Sequence, residues 1–123
     1  MGKFNEETIR SIYDCWNDGN KDGVIAAFRD LGPAGFTVEY VGEAPLDGMA
    51  AVEDMWENYA GTCTTDVVEL LVNGNEAAAL IQNNVNSDAG VTSLPSIETY
   101  HLKGNKLVVR YFHQAPEGSY LKE

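Results

Sequence analysis

The chain has 123 residues, 8 of them Lys or Arg and 19 Asp or Glu, giving a formal charge of -11, with 44% hydrophobic residues. That length supports one domain with one core, and the composition excludes global disorder. So acidic a surface repels a phosphate backbone and an anionic bilayer, so neither nucleic acid nor membrane is an expected partner.

The first predicted helix spans about Asn5 to Asp18, with Asn5 as its cap and Ile9, Ile12, Tyr13 and Trp16 on one face. Gly19-Asn20 ends it, and a second helix from about Lys21 to Arg29 turns Val24, Ile25 and Phe28 inward. Gly32, Pro33 and Gly35 break the chain before a short strand, Phe36 to Val41, with Phe36, Val38 and Tyr40 on one side. A turn-rich piece leads to a third helix, about Gly48 to Tyr59, capped by Asp47 and striped by Met49, Val52, Trp56 and Tyr59.

Strands follow. Thr64 to Val72 and Glu76 to Val85 flank Asn73-Gly74, a strong hairpin signal, and alternation sets Asn83 among Ala79, Ile81 and Val85. Asn86 to Pro95 reads as a polar, irregular excursion. Glu98 to His113 then forms two strands around a tight Lys103-Gly104-Asn105-Lys106 turn. Period two puts Glu98, Tyr100 and Leu102 on one face of the first, and Val108, Arg110 and Phe112 on one face of the second. Taken as the same face, they bring a carboxylate and a guanidinium together among apolar neighbours, which makes Glu98 and Arg110 site candidates. His101 and His113 then point away from that face. Three helices followed by antiparallel strands predict an α+β domain over residues 1–123, with helices packed on one face of a curved sheet.

Cys15 and Cys63 have no disulfide-scaffold or metal-ligand spacing. Asp18-Gly19-Asn20-Lys21-Asp22-Gly23 copies the start of a calcium loop, but Arg29 stands where a bidentate Glu belongs, so no metal is expected. The first residues lack the apolar run of a signal peptide, and no segment has the roughly 18 apolar residues of a span, so the expected location is cytoplasmic.

Trp16-Asn17-Asp18-Gly19-Asn20, Ala26-Ala27-Phe28, Phe36-Thr37-Val38-Glu39-Tyr40, Leu46-Asp47-Gly48 leading to Trp56, Asn75-Glu76-Ala77-Ala78 and Lys106-Leu107-Val108 together resemble the NTF2-like superfamily. Within it they are similar to the ketosteroid isomerase and SnoaL-like polyketide cyclase group, over about Glu6 to Gln114. The resemblance implies a cone-shaped, strongly curved, mainly antiparallel sheet wrapped by helices around an apolar pocket, usually in a homodimer. It further implies chemistry on small hydrophobic carbonyl compounds, by isomerisation, cyclisation or dehydration, without metal or organic cofactor. Other members bind ligands without catalysis or serve as protein-interaction modules, and those alternatives stay open.

Carried over by position, Glu98 takes the place of the isomerase's protonated acid, and Tyr40 stands where its carboxylate base is expected. The isomerase itself is a worked case of pKa tuning. The oxyanion tyrosine position falls on Ile12, with Tyr13 one residue, about 100°, further round the helix. The catalytic candidates are therefore Glu98 as acid/base, Arg110 as its partner and substrate anchor, and Tyr40 as a hydrogen-bond donor. Asn83, Tyr13, Trp16, Trp56, Tyr59, Tyr100 and Phe112 are the candidate ligand contacts.

Overall fold

A computed structural model describes residues 4–113; Gln114 and the ends of the expected domain lie outside them. Helix α1 (Glu6–Asn17) starts where the Asn5 side chain accepts from the Glu7 N–H at 2.8 Å, and it buries Ile9, Ile12 and Tyr13. Helix α2 (Lys21–Leu31) is capped by Asn20 in the same way, through the Gly23 N–H. Strand β1 (Phe36–Tyr40) and the two-residue β2 (Leu46–Asp47) precede α3 (Gly48–Tyr59), capped by Asp47. Gly48 is needed for space: a Cβ there would collide with the Phe36 ring.

Strands β3 (Cys63–Asn73), β4 (Glu76–Ser87), β5 (Gly90–Lys103) and β6 (Lys106–Phe112) complete one mixed sheet, ordered β2-β1-β6-β5-β4-β3. Only β1 and β6 run parallel among neighbouring strands. The Asn73-Gly74 turn forms as the sequence predicts, with Gly74 at φ 64°. In β3 a bulge between Val67 and Glu69 lets Val67 and Leu70 both face the core while Val68 turns out, which bends the sheet. The core fills the concave side: Ile9, Phe28, Val38, Val52, Ile81, Tyr100, Leu107 and Val109 are all fully buried there. This is the expected three-helix, curved-sheet α+β architecture.

Among the described residues β3 has no neighbouring strand at its outer edge, but Asn17 from the end of α1 takes that place at one residue. Its side-chain amide donates to the Thr65 carbonyl and accepts from the Thr65 N–H, both at 2.8 Å.

Two expectations fail here. The stretch Asn86 to Pro95 is regular: β4 runs to Ser87, Asp88-Ala89 turn, and β5 starts at Gly90. Neither face is buried at that end of the hairpin, so polar residues carry the ladder without apolar alternation, and Ser93 donates to Asn84 across it at 2.8 Å. Among the described residues β6 pairs with β5 only from Ile97 onward, so Pro95 interrupts no ladder bond between them.

The second failure is the face shared by β5 and β6. Their turn has two central residues, Gly104 and Asn105, with Lys103 opposite Lys106. Even-numbered residues of β5 therefore pair with odd-numbered residues of β6: Glu98 with Tyr111, Tyr100 with Val109, Leu102 with Leu107. Val108, Arg110 and Phe112 occupy the convex face, and Arg110 is not a partner of Glu98.

Candidate functional site

One level of the sheet carries the chemistry. Tyr40, Tyr111, Glu98, Ala79 and Leu70 pair in sequence across β1, β6, β5, β4 and β3, all on the concave side. Above this row the helices stand off, leaving a cavity of about 310 Å³. Tyr13 and Trp16 of α1 and Trp56 and Tyr59 of α3 wall it on the helix side, and Asn83 and Ser96 on the sheet side. A half-exposed Tyr59 marks the mouth.

Glu98 is 8% exposed, and its carboxyl is held from two directions. Tyr13 donates to Oε1 at 2.7 Å and Ser96 donates to Oε2 at 2.9 Å. Behind each donor stands another. The Tyr13 hydroxyl lies 2.5 Å from that of Tyr100, and Asn83 Nδ2 donates to Ser96 Oγ at 3.0 Å and to the Leu94 carbonyl at 3.1 Å. With Tyr13 committed to Glu98, Tyr100 donates to Tyr13, and the network converges on the carboxyl. Burial lifts the Glu98 pKa above its ordinary value, while the hydrogen bonds from Tyr13 and Ser96 pull it back part of the way. Such a carboxyl is poised to exchange a proton nearer neutrality than a surface glutamate. Two of its roughly four acceptor positions remain free.

Tyr40 is the counterpart. Its hydroxyl is buried at the cavity and has no hydrogen-bond partner among the described residues. Burial, and then the negative charge of Asp54, push its pKa up to about 12, so it holds its proton and remains a donor. A buried orphan hydroxyl costs about 1–3 kcal/mol until something pairs with it.

The structure thus brings Glu98, Tyr40, Tyr13, Asn83, Trp16, Trp56 and Tyr59 to one cavity. Tyr13 meets Glu98 although a strict positional transfer favoured Ile12, which lies beside it on the same buried face. Tyr100 is a correction of degree: at 1% exposure it stands behind the wall, holding Tyr13 rather than meeting a ligand.

Arg110 and Phe112 are corrections of face. Arg110 is exposed, 3.2 Å from Glu39 and stacked on Phe112 with its guanidinium carbon 5.2 Å from the ring centroid. His113, expected to point away, lines the cavity, with its ring centroid 6.2 Å from that of Tyr40. The same one-residue change of face explains all three. His101 does lie outside, 3.4 Å from Glu76.

Sequence reasoning missed Ser96 and Tyr111. Ser96 sits two residues before Glu98, hence on its face, and Tyr111 follows from the two-residue turn. Both signals were present. Among the described residues no cluster of three or more His, Cys, Asp or Glu side chains is placed as metal ligands would be. No helix among them is long and apolar enough to cross a membrane.

The fold has many solved counterparts. A protein of Jannaschia sp. CCS1 named as a SnoaL-like polyketide cyclase superposes with a TM-score of 0.67 at 18% identity, covering 86% of this chain and 82% of its own. An LEH-like epoxide hydrolase of M. tuberculosis gives 0.67 at 11% identity, covering 88% and 80%. SalBIII, an epoxide hydrolase/cyclase-like enzyme of pyran ring formation in salinomycin, gives 0.66 at 14%, covering 86% and 88%. At these identities the likeness is one of fold. No functionally curated protein matches the chain. Residues 9–111, from the first buried position of α1 to the Tyr111 that pairs with Glu98, match the SnoaL-like domain, and the chain belongs to that family.

Proposed function

We propose that the cavity binds a small, largely apolar carbonyl compound and that Glu98 exchanges a proton with it, without metal or organic cofactor, in an isomerisation, cyclisation or dehydration. The observation that carries this reading is the pairing of a buried carboxyl, Glu98, with an unpartnered donor, Tyr40, on one apolar cavity. A carbonyl whose oxygen accepts from Tyr40 is polarised so that its α-C–H bond becomes more acidic, and negative charge developing on the oxygen meets a fixed dipole. Glu98 takes the proton from the neighbouring carbon and returns it elsewhere, while Tyr13 and Ser96 stabilise whichever carboxyl oxygen carries charge. The fold's counterparts include an LEH-like epoxide hydrolase and an epoxide hydrolase/cyclase-like enzyme of pyran ring formation, which supports small-molecule chemistry as the class without fixing the substrate.

The test uses β-tetralone, a ketone of suitable size, in D2O, with exchange at its α-carbon followed by NMR. Wild-type protein should accelerate exchange, and Glu98→Gln should lose about tenfold or more of that acceleration. Binding of the ketone with no acceleration would move the protein to the second reading, a noncatalytic carrier. That reading draws support from both Glu98 oxygens already accepting hydrogen bonds.

The assembly proposed with this function is a homodimer through the convex sheet face. Leu71, Leu80, Ile97 and Phe112 are exposed there, on neighbouring strands, at 62%, 37%, 47% and 39%. Burying that patch against a second copy would remove contiguous apolar surface from water. Sedimentation equilibrium of Ile97→Asp against wild type checks it: the variant should be monomeric.

A further inference from the structure

Glu98 has no cation among its partners, which are neutral hydroxyls. Among the described residues no ion pair reaches it and no Lys or Arg lines the cavity, where the one basic side chain is His113, packed beside Tyr40. An ionised carboxylate buried without a cation is costly, and the cost is relieved by a proton or by a positive charge brought from outside. Lys103 and Lys106, the nearest Lys or Arg residues in sequence, are exposed at the hairpin turn, and Arg110 faces the other side of the sheet. The surroundings add to the imbalance, since Asp54 and Glu43 lie close enough to Tyr40 to raise its pKa together with Glu98.

The remaining walls suit the same charge. Trp16 and Trp56 meet edge to face with centroids 4.8 Å apart, and Tyr40 and Tyr111 do so at 5.5 Å, so aromatic side chains bound the cavity on both helix and sheet sides. Aromatic enclosures of this kind attract ammonium groups. The polar wall also presents acceptors. Asn83 spends its amide nitrogen on Leu94 and Ser96, which leaves Oδ1 without a partner among the described residues, and Glu98 keeps two acceptor positions open. An ammonium with its N–H donors matches that set; a carboxylate meets no compensating charge.

We propose that the molecule this cavity accepts carries a basic nitrogen, and that its ammonium sits between the Glu98 carboxylate and the aromatic walls. The proposal rests on the cavity being the ligand site and narrows the class of ligand from hydrophobic carbonyl compound to hydrophobic amino-carbonyl compound. The two roles of Glu98 agree where the nitrogen neighbours the reacting carbon, because an adjacent positive charge acidifies the C–H bond that the carboxylate attacks.

Isothermal titration calorimetry at pH 7 with 2-naphthylmethylamine, 2-naphthylmethanol and 2-naphthoate separates the possibilities. The amine, present as its ammonium, should bind wild-type protein about tenfold or more tighter than the alcohol, with the carboxylate weakest. In Glu98→Gln the advantage of the amine over the alcohol should vanish, since the negative charge is lost. Equal binding of amine and alcohol by wild type overturns the proposal and leaves the cavity as a neutral-ligand site. An amine advantage that survives Glu98→Gln overturns it as well. Binding of none of the three defeats both the proposal and the ligand-site reading. The wild-type comparison needs no variant, so a folding defect in Glu98→Gln does not blunt it.

Discussion

Each face of the β5–β6 hairpin carries a charged-type side chain once expected at the site, Glu98 on one and Arg110 on the other, with opposite fates. On the concave face Glu98 is enclosed, served by Tyr13 and Ser96, and its pKa is raised. On the convex face Arg110 is exposed beside Glu39, and the pair resembles surface ion pairs that contribute little. The residues directly opposite in the ladder are Glu98 with Tyr111 and Thr99 with Arg110, so one position along the chain separates a chemical group from a surface one. What separates their fates is the medium each side chain enters.

That contrast can be broken from the concave side first. Tyr13→Phe removes a donor to Glu98 and leaves the buried Tyr100 hydroxyl without a partner, so it should cost about 1–3 kcal/mol in urea denaturation. It should also raise the Glu98 pKa further, visible in the pH profile of ketone exchange.

The next effect is a pH dependence. The folded Glu98 pKa lies above the unfolded value of about 4.3, so the native state binds the proton more tightly. Its contribution is fully present below the unfolded pKa and is lost as pH rises through the folded one. The stability of wild type minus that of Glu98→Gln should therefore fall across that window and level off above it, as measured by denaturation at a series of pH values. A flat difference would mean that Glu98 titrates as an ordinary carboxyl.

Tyr40→Phe sharpens the comparison within the cavity. It removes an orphan hydroxyl, so stability should hold or rise slightly, while affinity for an oxygen-bearing ligand should drop by about fivefold, the worth of one neutral hydrogen bond. The smallest effect belongs to the convex face. Arg110→Gln should change stability by less than about 1 kcal/mol and leave ketone exchange intact, because the guanidinium meets only Glu39 and Phe112.

Much of this molecule was legible beforehand. The capping residues Asn5, Asn20 and Asp47, the apolar stripes of the helices and the Asn73-Gly74 turn each specify local geometry by themselves, and each element formed close to its expected bounds. Asn83 was found on the cavity side because alternation within one strand is a local property. The errors arose where two strands had to be put in register. Alternation assigns faces within β5 and within β6 but does not relate them; the turn does, and its two central residues already implied the pairing that puts Tyr111 and not Arg110 opposite Glu98. The Glu98–Tyr13 contact joins residues 85 positions apart and depends on how α1 seats on the sheet, which no local pattern encodes.

The Asn17 amide against Thr65 has a consequence for how copies of this chain can meet. An open strand edge invites other chains to add on as further strands, a route to fibres. Here Asn17 occupies the backbone groups of Thr65, and a few residues on the bulge at Val67/Glu69 interrupts the same edge. Lateral growth of the sheet is obstructed twice within five residues, from Thr65 to Glu69. Edge addition along β3, the mode of self-association that does not terminate, is thereby disfavoured.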